Sequence, residues 1–346
     1  MLREPRTKTN QRLKSAALLS LLPFFLFLLL TSSPATRAPS VRDHSDADHK
    51  THEGIENTVI VPAYHEAGNI PTLVRRVFSA IEKELADAGR TEVIVVDDDS
   101  RDGTVEAVGM LKEEGYRNVV LLVRTEEDWK SGNDEKGLSS AVLRGFKEAR
   151  GENFVVMDAD LQHPPEYVPA FFKALESHAS FVMGTRYGPG GAVDKDWPFF
   201  RRLMSGVARS LARPLTDTSD PMSGFFGLTR ELYMQSSPVN PTGFKIALEL
   251  LLKTGVPSSH VREVPYAFAK RTVGASKLSS KTVVKYVIHL GTLYRWRMGF
   301  FGIILLEGLL VAGCWVALYA VDVGGVAWRK WRRQELRRRE KGRLDV

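Results

Sequence analysis

The chain has 346 residues, of which 43% are apolar and 26% charged, an ordinary composition for one large globular domain or two small ones. Its one cysteine, Cys314, excludes an internal disulfide, so the chain does not need an oxidising compartment. The net charge of +7 belongs to the ends, with +4 in residues 1–14 and +6 in residues 329–346, which leaves −3 between them and excludes a basic nucleic-acid-binding surface there.

The N-terminal part combines a basic start with a short apolar segment. The segment from Ala16 to Leu30 is short for a membrane span, and Pro23 lies inside it. This pattern resembles a signal peptide or signal anchor, which we expect over residues 1–31. Residues 32–56 are polar and rich in His, Ser and Asp, so we expect a linker without a core of its own.

Residues 57–297 alternate between strand and helix patterns. Runs of Val and Ile predict strands over residues 57–64, 91–100, 117–124, 153–160 and 180–187. Helical spacing of apolar residues predicts helices over residues 69–89, 102–115, 136–151 and 165–177. Unbroken apolar runs are typical of strands buried on both faces. We therefore predict an α/β domain with a mostly parallel sheet, whose ligands lie at the carboxyl ends of the strands.

A second apolar segment, Phe300 to Tyr319, is long enough to cross a bilayer core about 30 Å thick. Its one charged residue is Glu307, and tryptophans flank it at Trp296, Trp328 and Trp331. We expect a transmembrane segment within residues 298–328 and a basic tail over residues 329–346. A buried C-terminal helix is the alternative, but the basic tail directly after the segment favours a membrane.

Acidic side chains follow three of the predicted strands. Glu66 comes after the first strand, Asp97 to Asp99 end the second, and Asp158 and Asp160 end the fourth. A single Asp after a strand is usually a helix cap or a turn former. Three such groups at one edge of a sheet indicate a shared ligand instead.

Carboxylates can hold an anionic nucleotide diphosphate only through a cation. Mg²⁺ prefers oxygen ligands, usually one or two carboxylates with phosphate and water oxygens, and the amide oxygen of Gln162 could add a neutral ligand. The chain has neither a G-x-x-x-x-G-K-[ST] loop nor a G-x-G-x-x-G after a strand. The pattern therefore predicts a nucleotide held by metal and side chains. His163 suggests zinc, but no second His or Cys has the spacing of a zinc ligand.

Five segments together resemble the dolichyl-phosphate mannosyltransferases, which are inverting family-2 glycosyltransferases of GT-A fold. They are "VIVPAYHEAGNI", "EVIVVDDDSRDGT", "MDADLQHPPE", "GTRYGPGG" and "GASKLS", and the similarity covers residues 57–293. The resemblance implies transfer of mannose from GDP-mannose to dolichyl phosphate with inversion, giving dolichyl β-D-mannosyl phosphate for protein glycosylation and GPI-anchor synthesis. Two rivals stay open: a dolichyl-phosphate β-glucosyltransferase using UDP-glucose, and a non-catalytic membrane adaptor with a degenerate transferase domain.

The resemblance also implies a set of donor-binding residues. Those at the nucleotide are Pro62, Tyr64, Glu66, Val96 and Asp98, with the Asp98 carboxylate accepting from a guanine edge. Those at the diphosphate are Asp158, Ala159 and Asp160. The implied ligands of the cation, which is Mg²⁺ or Mn²⁺ and otherwise Ca²⁺, are Asp158, Asp160 and Gln162.

Three basic residues complete the implied site. Arg186 resembles a residue near the donor and acceptor phosphates, and Arg271 and Lys277 match a basic pair on a loop that closes over the diphosphate. With Asp160 they form the implied catalytic set. The acceptor phosphate is already ionised at neutral pH, so no general base is expected. The roles of Asp217, Asp220, Ser223 and Gly224 stay open between turn formation and an acceptor site.

The sequence departs from the family at two places. Asp99 stands where Gly or Asn is commoner, and the loop over residues 124–141 is longer than usual. The remaining partners implied are the lipid bilayer and, as an open alternative, small membrane helper subunits. The implied location is the endoplasmic reticulum membrane with the catalytic domain facing the cytosol, although basic tails outside both apolar segments favour the opposite orientation.

Overall fold

A computed structural model describes residues 54–85, 88–130, 136–193, 199–240, 245–269, 283–313 and Trp315. The predicted N-terminal segment, most of the linker, the basic tail, Arg271 and Lys277 lie outside these residues. The chain divides into two compact units, with a boundary between Leu293 and Tyr294. The predicted site residues that the structure describes all belong to the unit that precedes this boundary.

This unit is built on one seven-stranded sheet in the order β3-β2-β1-β4-β6-β5-β7. Every neighbouring pair is parallel except those of β6, which runs antiparallel to both β4 and β5. The mostly parallel sheet is therefore confirmed, whereas β6 and β7 were not predicted. The strands are β1 Asn57–Ala63, β2 Thr91–Asp97, β3 Val119–Val123, β4 Asn153–Val156, β5 Phe181–Thr185, β6 Phe226–Thr229 and β7 Val261–Pro265.

All four predicted helices are present, each shorter than its sequence pattern. They are α1 Ile70–Leu85, α2 Thr104–Glu113, α4 Leu138–Glu148 and α5 Val168–Ser177. The other described helices of this unit were not predicted, and they are α3 Glu126–Lys130, α6 Phe199–Ala212, α7 Arg230–Met234 and α8 Ile246–Lys253. Helix α3 lies inside the unusually long loop, so part of that insertion is helical.

Both faces of the sheet are covered, as the unbroken apolar runs predict. Val59 and Val61 of β1 pack into a cluster with α1 and α5, while Ile60 packs into a second cluster with α4. All three side chains are fully buried, and each contributes about 1.5–3 kcal/mol of apolar burial. Helix α4 approaches β1 so closely that a Cβ at Gly145 would lie 2.5 Å from Ile60 Cγ2, so only glycine fits there.

The C-terminal apolar segment begins within a long helix, α9, over Val283–Gly313. Its mean hydropathy of 1.5 makes it the one helix among the described residues that is long and apolar enough to cross a membrane. Phe301 is 80% exposed and Ile304 50% exposed, so the alternative of a buried core helix does not describe them. The helix starts well before residue 298, because the polar sequence preceding the apolar segment is helical as well.

Candidate functional site

The acidic segments that follow β1, β2 and β4 lie at one edge of the sheet. Strands β1 and β2 are parallel and in register to their ends, with Ala63 opposite Asp97. The amide of Asp98 donates to the Ala63 carbonyl at 3.3 Å, and that of Met157 donates to the Ile60 carbonyl at 3.1 Å. The pairing therefore brings together three segments that lie far apart in the sequence.

The segment after β1 turns sharply beneath an exposed aromatic ring. Tyr64 is 36% exposed, and the ammonium of Lys136 lies 4.3 Å from its ring centroid. His65 adopts a φ of 59°, and the Glu66 carboxylate accepts from Asn69 Nδ2 at 2.7 Å. Pro62, the remaining donor residue predicted here, is half-buried within β1. The ring and the neighbouring ammonium give this edge a surface suited to a nucleotide base.

Asp98 is a buried carboxylate in an ion pair that the sequence did not suggest. The Nε of Arg124 donates to Asp98 Oδ1 at 2.8 Å, Arg124 Nη2 donates to the same oxygen, and the Gly137 amide donates to Oδ2 at 3.1 Å. Burial raises the pKa of Asp98, and the charge of Arg124 opposes this rise without cancelling it. A carboxylate oxygen can accept two hydrogen bonds, so Oδ2 can take a donor besides the Gly137 amide. The Val96 side chain is fully buried, so only its backbone could contact a ligand.

The other carboxylates after β2 shape the turn. Asp97 accepts from the Ser100 amide at 3.0 Å and from its hydroxyl at 2.6 Å. Asp102 accepts from the Ala67 amide at 3.0 Å and the Thr104 hydroxyl at 2.7 Å, which ties this turn to the segment after β1. Burial by itself would raise the pKa of Asp102, but these hydrogen bonds outweigh it and lower the pKa to about 2. Asp97 and Asp102 are therefore turn-forming residues.

The loop after β4 carries the predicted cation ligands. The strand ends at Val156, before both carboxylates, and Leu161 has a φ of 62°. The Asp158 side chain is 39% exposed, whereas Asp160 and Gln162 are buried. The backbone amide of Gln162 donates to Asp160 Oδ1 at 3.1 Å. One predicted ligand, Asp158, is therefore partly exposed to solvent, while the other two are buried in the loop together with Ala159.

These residues fit a hard divalent cation that shares its shell with phosphate and water. All three predicted ligands offer oxygen, which Mg²⁺ and Mn²⁺ accept. Among the described residues, no group of three or more His, Cys, Asp or Glu side chains could hold a metal ion. A Cβ at Gly224 would lie 3.5 and 3.6 Å from the Asp158 carboxylate oxygens, which is ordinary van der Waals contact, so Gly224 borders this carboxylate. The protein therefore offers only part of a coordination shell, which leaves positions for phosphate and water oxygens.

Arg186 is held in place by Asp220. Its Nε and Nη2 donate to the two oxygens of that carboxylate at 2.6 and 2.9 Å, and its amide donates at 3.2 Å. Asp220 is fully buried and the Arg186 side chain is 10% exposed. Burial by itself would lower the pKa of Arg186. The hydrogen bonds and charge of Asp220 outweigh this effect and raise the pKa above its usual value, so the guanidinium stays charged. Asp220, whose role the sequence left open, thus orients Arg186.

Lys245 is a cation that sequence reasoning missed. It precedes helix α8, and its Nζ donates to the Met222 carbonyl at 2.8 Å. Burial lowers the pKa of Lys245 to about 8, with the charge of Arg186 as the next cause, while Asp158 and Asp220 oppose the shift. Its ammonium therefore belongs to the same electrostatic cluster. The one available signal was a single basic residue at the start of an apolar helix.

The segment that precedes Arg271 and Lys277 in the sequence is hydrogen-bonded to the loop Asp158–Gln162, which carries the predicted cation ligands. The Ala269 amide donates to the Gln162 carbonyl at 3.1 Å, and Gln162 Nε2 donates to the Ala269 carbonyl at 3.2 Å. The neighbouring Phe268 ring lies 5.3 Å from the Arg186 guanidinium carbon.

The chain is similar to known glycosyltransferases. The model of the family "Glycosyl transferase family 2" matches residues 58–236. A dolichol-phosphate mannosyltransferase of Mycosarcoma maydis is 52% identical over 244 residues, which are 70% of this chain and 80% of that relative. The Saccharomyces cerevisiae enzyme of that name is 51% identical over 256 residues, 72% and 91% of the two chains.

Two further matches are more distant in sequence. A dolichol-phosphate mannosyltransferase of Pyrococcus furiosus is 41% identical over 263 residues, covering 73% of this chain and 69% of that one. Among solved structures, glucosyl-3-phosphoglycerate synthase from Mycobacterium tuberculosis, in complex with Mn²⁺, UDP and phosphoglyceric acid, matches with a TM-score of 0.51. It is 21% identical and the match covers 72% of this chain and 80% of that chain, so it supports the GT-A fold alone.

Proposed function

The chain belongs to the dolichol-phosphate mannosyltransferases of glycosyltransferase family 2, and on that premise we propose that it transfers mannose from GDP-mannose to dolichyl phosphate with inversion. The product is dolichyl β-D-mannosyl phosphate, a donor for protein glycosylation and GPI-anchor synthesis. The observation that carries the proposal is the meeting of the Asp158–Gln162 loop with the anchored segment at Ala269. Arg271 and Lys277 follow Ala269 in the sequence, which supports the proposal that their charges act beside these ligands.

The donor diphosphate lies at this junction in the proposal. Asp158, Asp160 and Gln162 would hold Mg²⁺, Mn²⁺ or Ca²⁺, and the ion when bound would stabilise the negative charge that develops on GDP as it leaves. Arg271 and Lys277 would place two further positive charges on the same leaving group. At the other end of the donor, Asp98 Oδ2 would accept from the guanine edge.

Bond exchange at the sugar needs no general base from the chain. An ionised oxygen of dolichyl phosphate attacks the mannose anomeric carbon as the bond to the GDP oxygen breaks, and the electron pair leaves with GDP. Attack from the opposite face converts an α-linked donor to a β-linked product. Arg186, fixed by Asp220 and charged, would hold the acceptor phosphate near the donor, so catalysis consists of positioning and charge stabilisation.

A direct assay tests the transfer. The detergent-solubilised chain is incubated with labelled GDP-mannose, dolichyl phosphate and Mg²⁺, and label in the lipid phase is measured. UDP-glucose is offered in parallel. Mannose transfer that unlabelled UDP-glucose does not compete with supports the proposal. Glucose transfer without mannose transfer, or no transfer by a chain that still binds GDP and metal, contradicts it.

A matched pair of variants tests the cation site. Asp160→Asn removes one charge of the proposed ligand set and should abolish most activity while leaving the fold intact. Asp99→Asn makes the same change at the same edge, where Asp99 pairs with Arg101, and should leave activity largely unchanged. Normal turnover of Asp160→Asn at saturating Mg²⁺ would contradict the ligand assignment.

We also propose an endoplasmic reticulum location with the catalytic unit facing the cytosol. Helix α9 supplies a membrane-spanning candidate, and the resemblance implies a cytosolic nucleotide-sugar donor. Basic residues also lie on the domain side of the apolar segment, at Lys285, Arg295 and Arg297, which weakens the opposite bias of the tail. Protease added to sealed microsomes should digest the catalytic unit. Protection of that unit until detergent is added would place it in the lumen.

A further inference from the structure

His163 directly follows the loop Asp158–Gln162, and aromatic rings surround its side chain. It is 2% exposed, its ring stacks on Phe225 with centroids 5.1 Å apart, and Tyr266 and Phe268 meet it edge-on at 5.7 and 5.9 Å. Packing on three sides restricts both rotation and displacement of the imidazole. The residue that the sequence raised as a zinc ligand is therefore a rigid, buried group.

The imidazole makes one specific contact with the loop. The backbone amide of Asp158 donates to His163 Nδ1 at 3.0 Å, and the same nitrogen lies 3.7 Å from Asp158 Oδ2. Since Nδ1 accepts, it carries no proton, and the ring proton is on Nε2. This hydrogen bond joins the first and last of the six residues from Asp158 to His163 and so closes the loop.

This closure matters because the loop has an unfavourable backbone conformation. Leu161 has a φ of 62°, a region that residues with a side chain rarely adopt. The hydrogen bonds made within the loop include one from the Gln162 backbone amide to Asp160 Oδ1 and one from the Asp158 backbone amide to His163 Nδ1. The second bond is the one that fixes the backbone of the half-exposed ligand, whose own side chain is least enclosed.

We propose that His163 is the positioning residue of the cation site, holding the Asp158 backbone through Nδ1 so that the carboxylate is preorganised for the ion. The inference rests on the proposed function, since it takes Asp158 as a cation ligand. Partners that orient metal ligands typically change metal affinity or activity about 10–100-fold when they are replaced. His163 has that relation to Asp158 without contacting substrate.

Three variants separate positioning from packing. His163→Leu fills the aromatic enclosure but offers no acceptor. His163→Asn carries an amide oxygen near the place of Nδ1, whereas His163→Gln places its oxygen one carbon further out. Binding of Mn²⁺ in the presence of GDP is measured by electron paramagnetic resonance on the full chain in detergent, and thermal unfolding is recorded alongside it. This readout does not require mannose transfer.

The expected result is an affinity for Mn²⁺ about 10–100-fold weaker in His163→Leu, with a melting temperature close to that of the wild type and partial recovery in His163→Asn. If His163→Leu does not fold, the pair of amide variants decides, because His163→Asn should bind Mn²⁺ more tightly than His163→Gln. Unchanged affinity in His163→Leu, equal affinities in the two amide variants, or a wild type that does not bind Mn²⁺ with GDP would overturn the inference. A wild type that binds both but transfers no mannose would refute the proposed function alone.

Discussion

The ion pair between Arg186 and Asp220 gives a quantitative test of how burial changes the value of a salt bridge. Asp220→Asn keeps the shape of the side chain but removes the charge that the guanidinium requires. We expect the free energy of unfolding to fall by about 3–5 kcal/mol, since removing one partner leaves an uncompensated buried charge. The pair is fully buried on the Asp220 side and 10% exposed on the Arg186 side.

The exposed pair of Arg76 and Glu166 provides the matched control. It has the same two-pronged geometry, with Nε and Nη2 both 2.7 Å from the carboxylate oxygens, but its side chains are 40% and 54% exposed. Solvent screens this pair, so Glu166→Gln should cost only about 0–1 kcal/mol. The two substitutions therefore differ mainly in burial, although Asp220 also accepts from the Arg186 backbone amide.

Chemical unfolding of the detergent-solubilised chain, followed by tryptophan fluorescence, measures both losses. The double variant Arg186→Gln, Asp220→Asn should recover part of the loss, because it removes the unpaired charge as well. Equal losses for Asp220→Asn and Glu166→Gln would refute the reasoning, since burial would then make no difference. The reasoning would also be refuted if the double variant had a lower free energy of unfolding than Asp220→Asn alone.

Three further predictions concern the loop, the pH dependence and the membrane. Lys277→Ala should lower kcat with little change in melting temperature, because the proposed role of this charge is on the departing GDP and not in the fold; an unchanged kcat with a collapsed melting temperature would indicate a structural role instead. The pKa of Asp102 is lowered from 3.8 to about 2, so its stabilising effect is present above pH 3.8 and is lost as the pH falls through about 2. Acid unfolding of Asp102→Asn should therefore depend less on pH in that window, and an identical acid-unfolding profile would contradict the assignment. Removing residues from Gly299 onward should shift the protein from the membrane to the soluble fraction of a cell lysate while GDP binding persists, and full retention on membranes would show that another segment anchors it.

Long-range pairing is where sequence reasoning stopped. Arg124 and Asp98 are 26 residues apart, and Arg186 and Asp220 are 34 apart. No local pattern indicated either pair, although Asp98, Arg124 and Arg186 lie near the ends of predicted strands. Strands β6 and β7 were missed for a related reason. The first has only four residues, and the second carries Arg262 and Glu263 on a half-exposed edge, so neither shows a distinct apolar run.

The sequence by itself determined the parallel core of the sheet, the edge at which its acidic segments meet and the apolar helix near the C-terminus. These features follow from periodicity and chain order, because apolar runs specify burial and parallel strands place their carboxyl ends together. Only the tertiary structure decided the surroundings of each carboxylate. Asp97 and Asp102 shape a turn, Asp220 orients Arg186, and Asp158 stays half-exposed. The physical reason is that a carboxylate's role depends on which donors surround it and how much water it keeps, and folding sets both by bringing distant residues into contact.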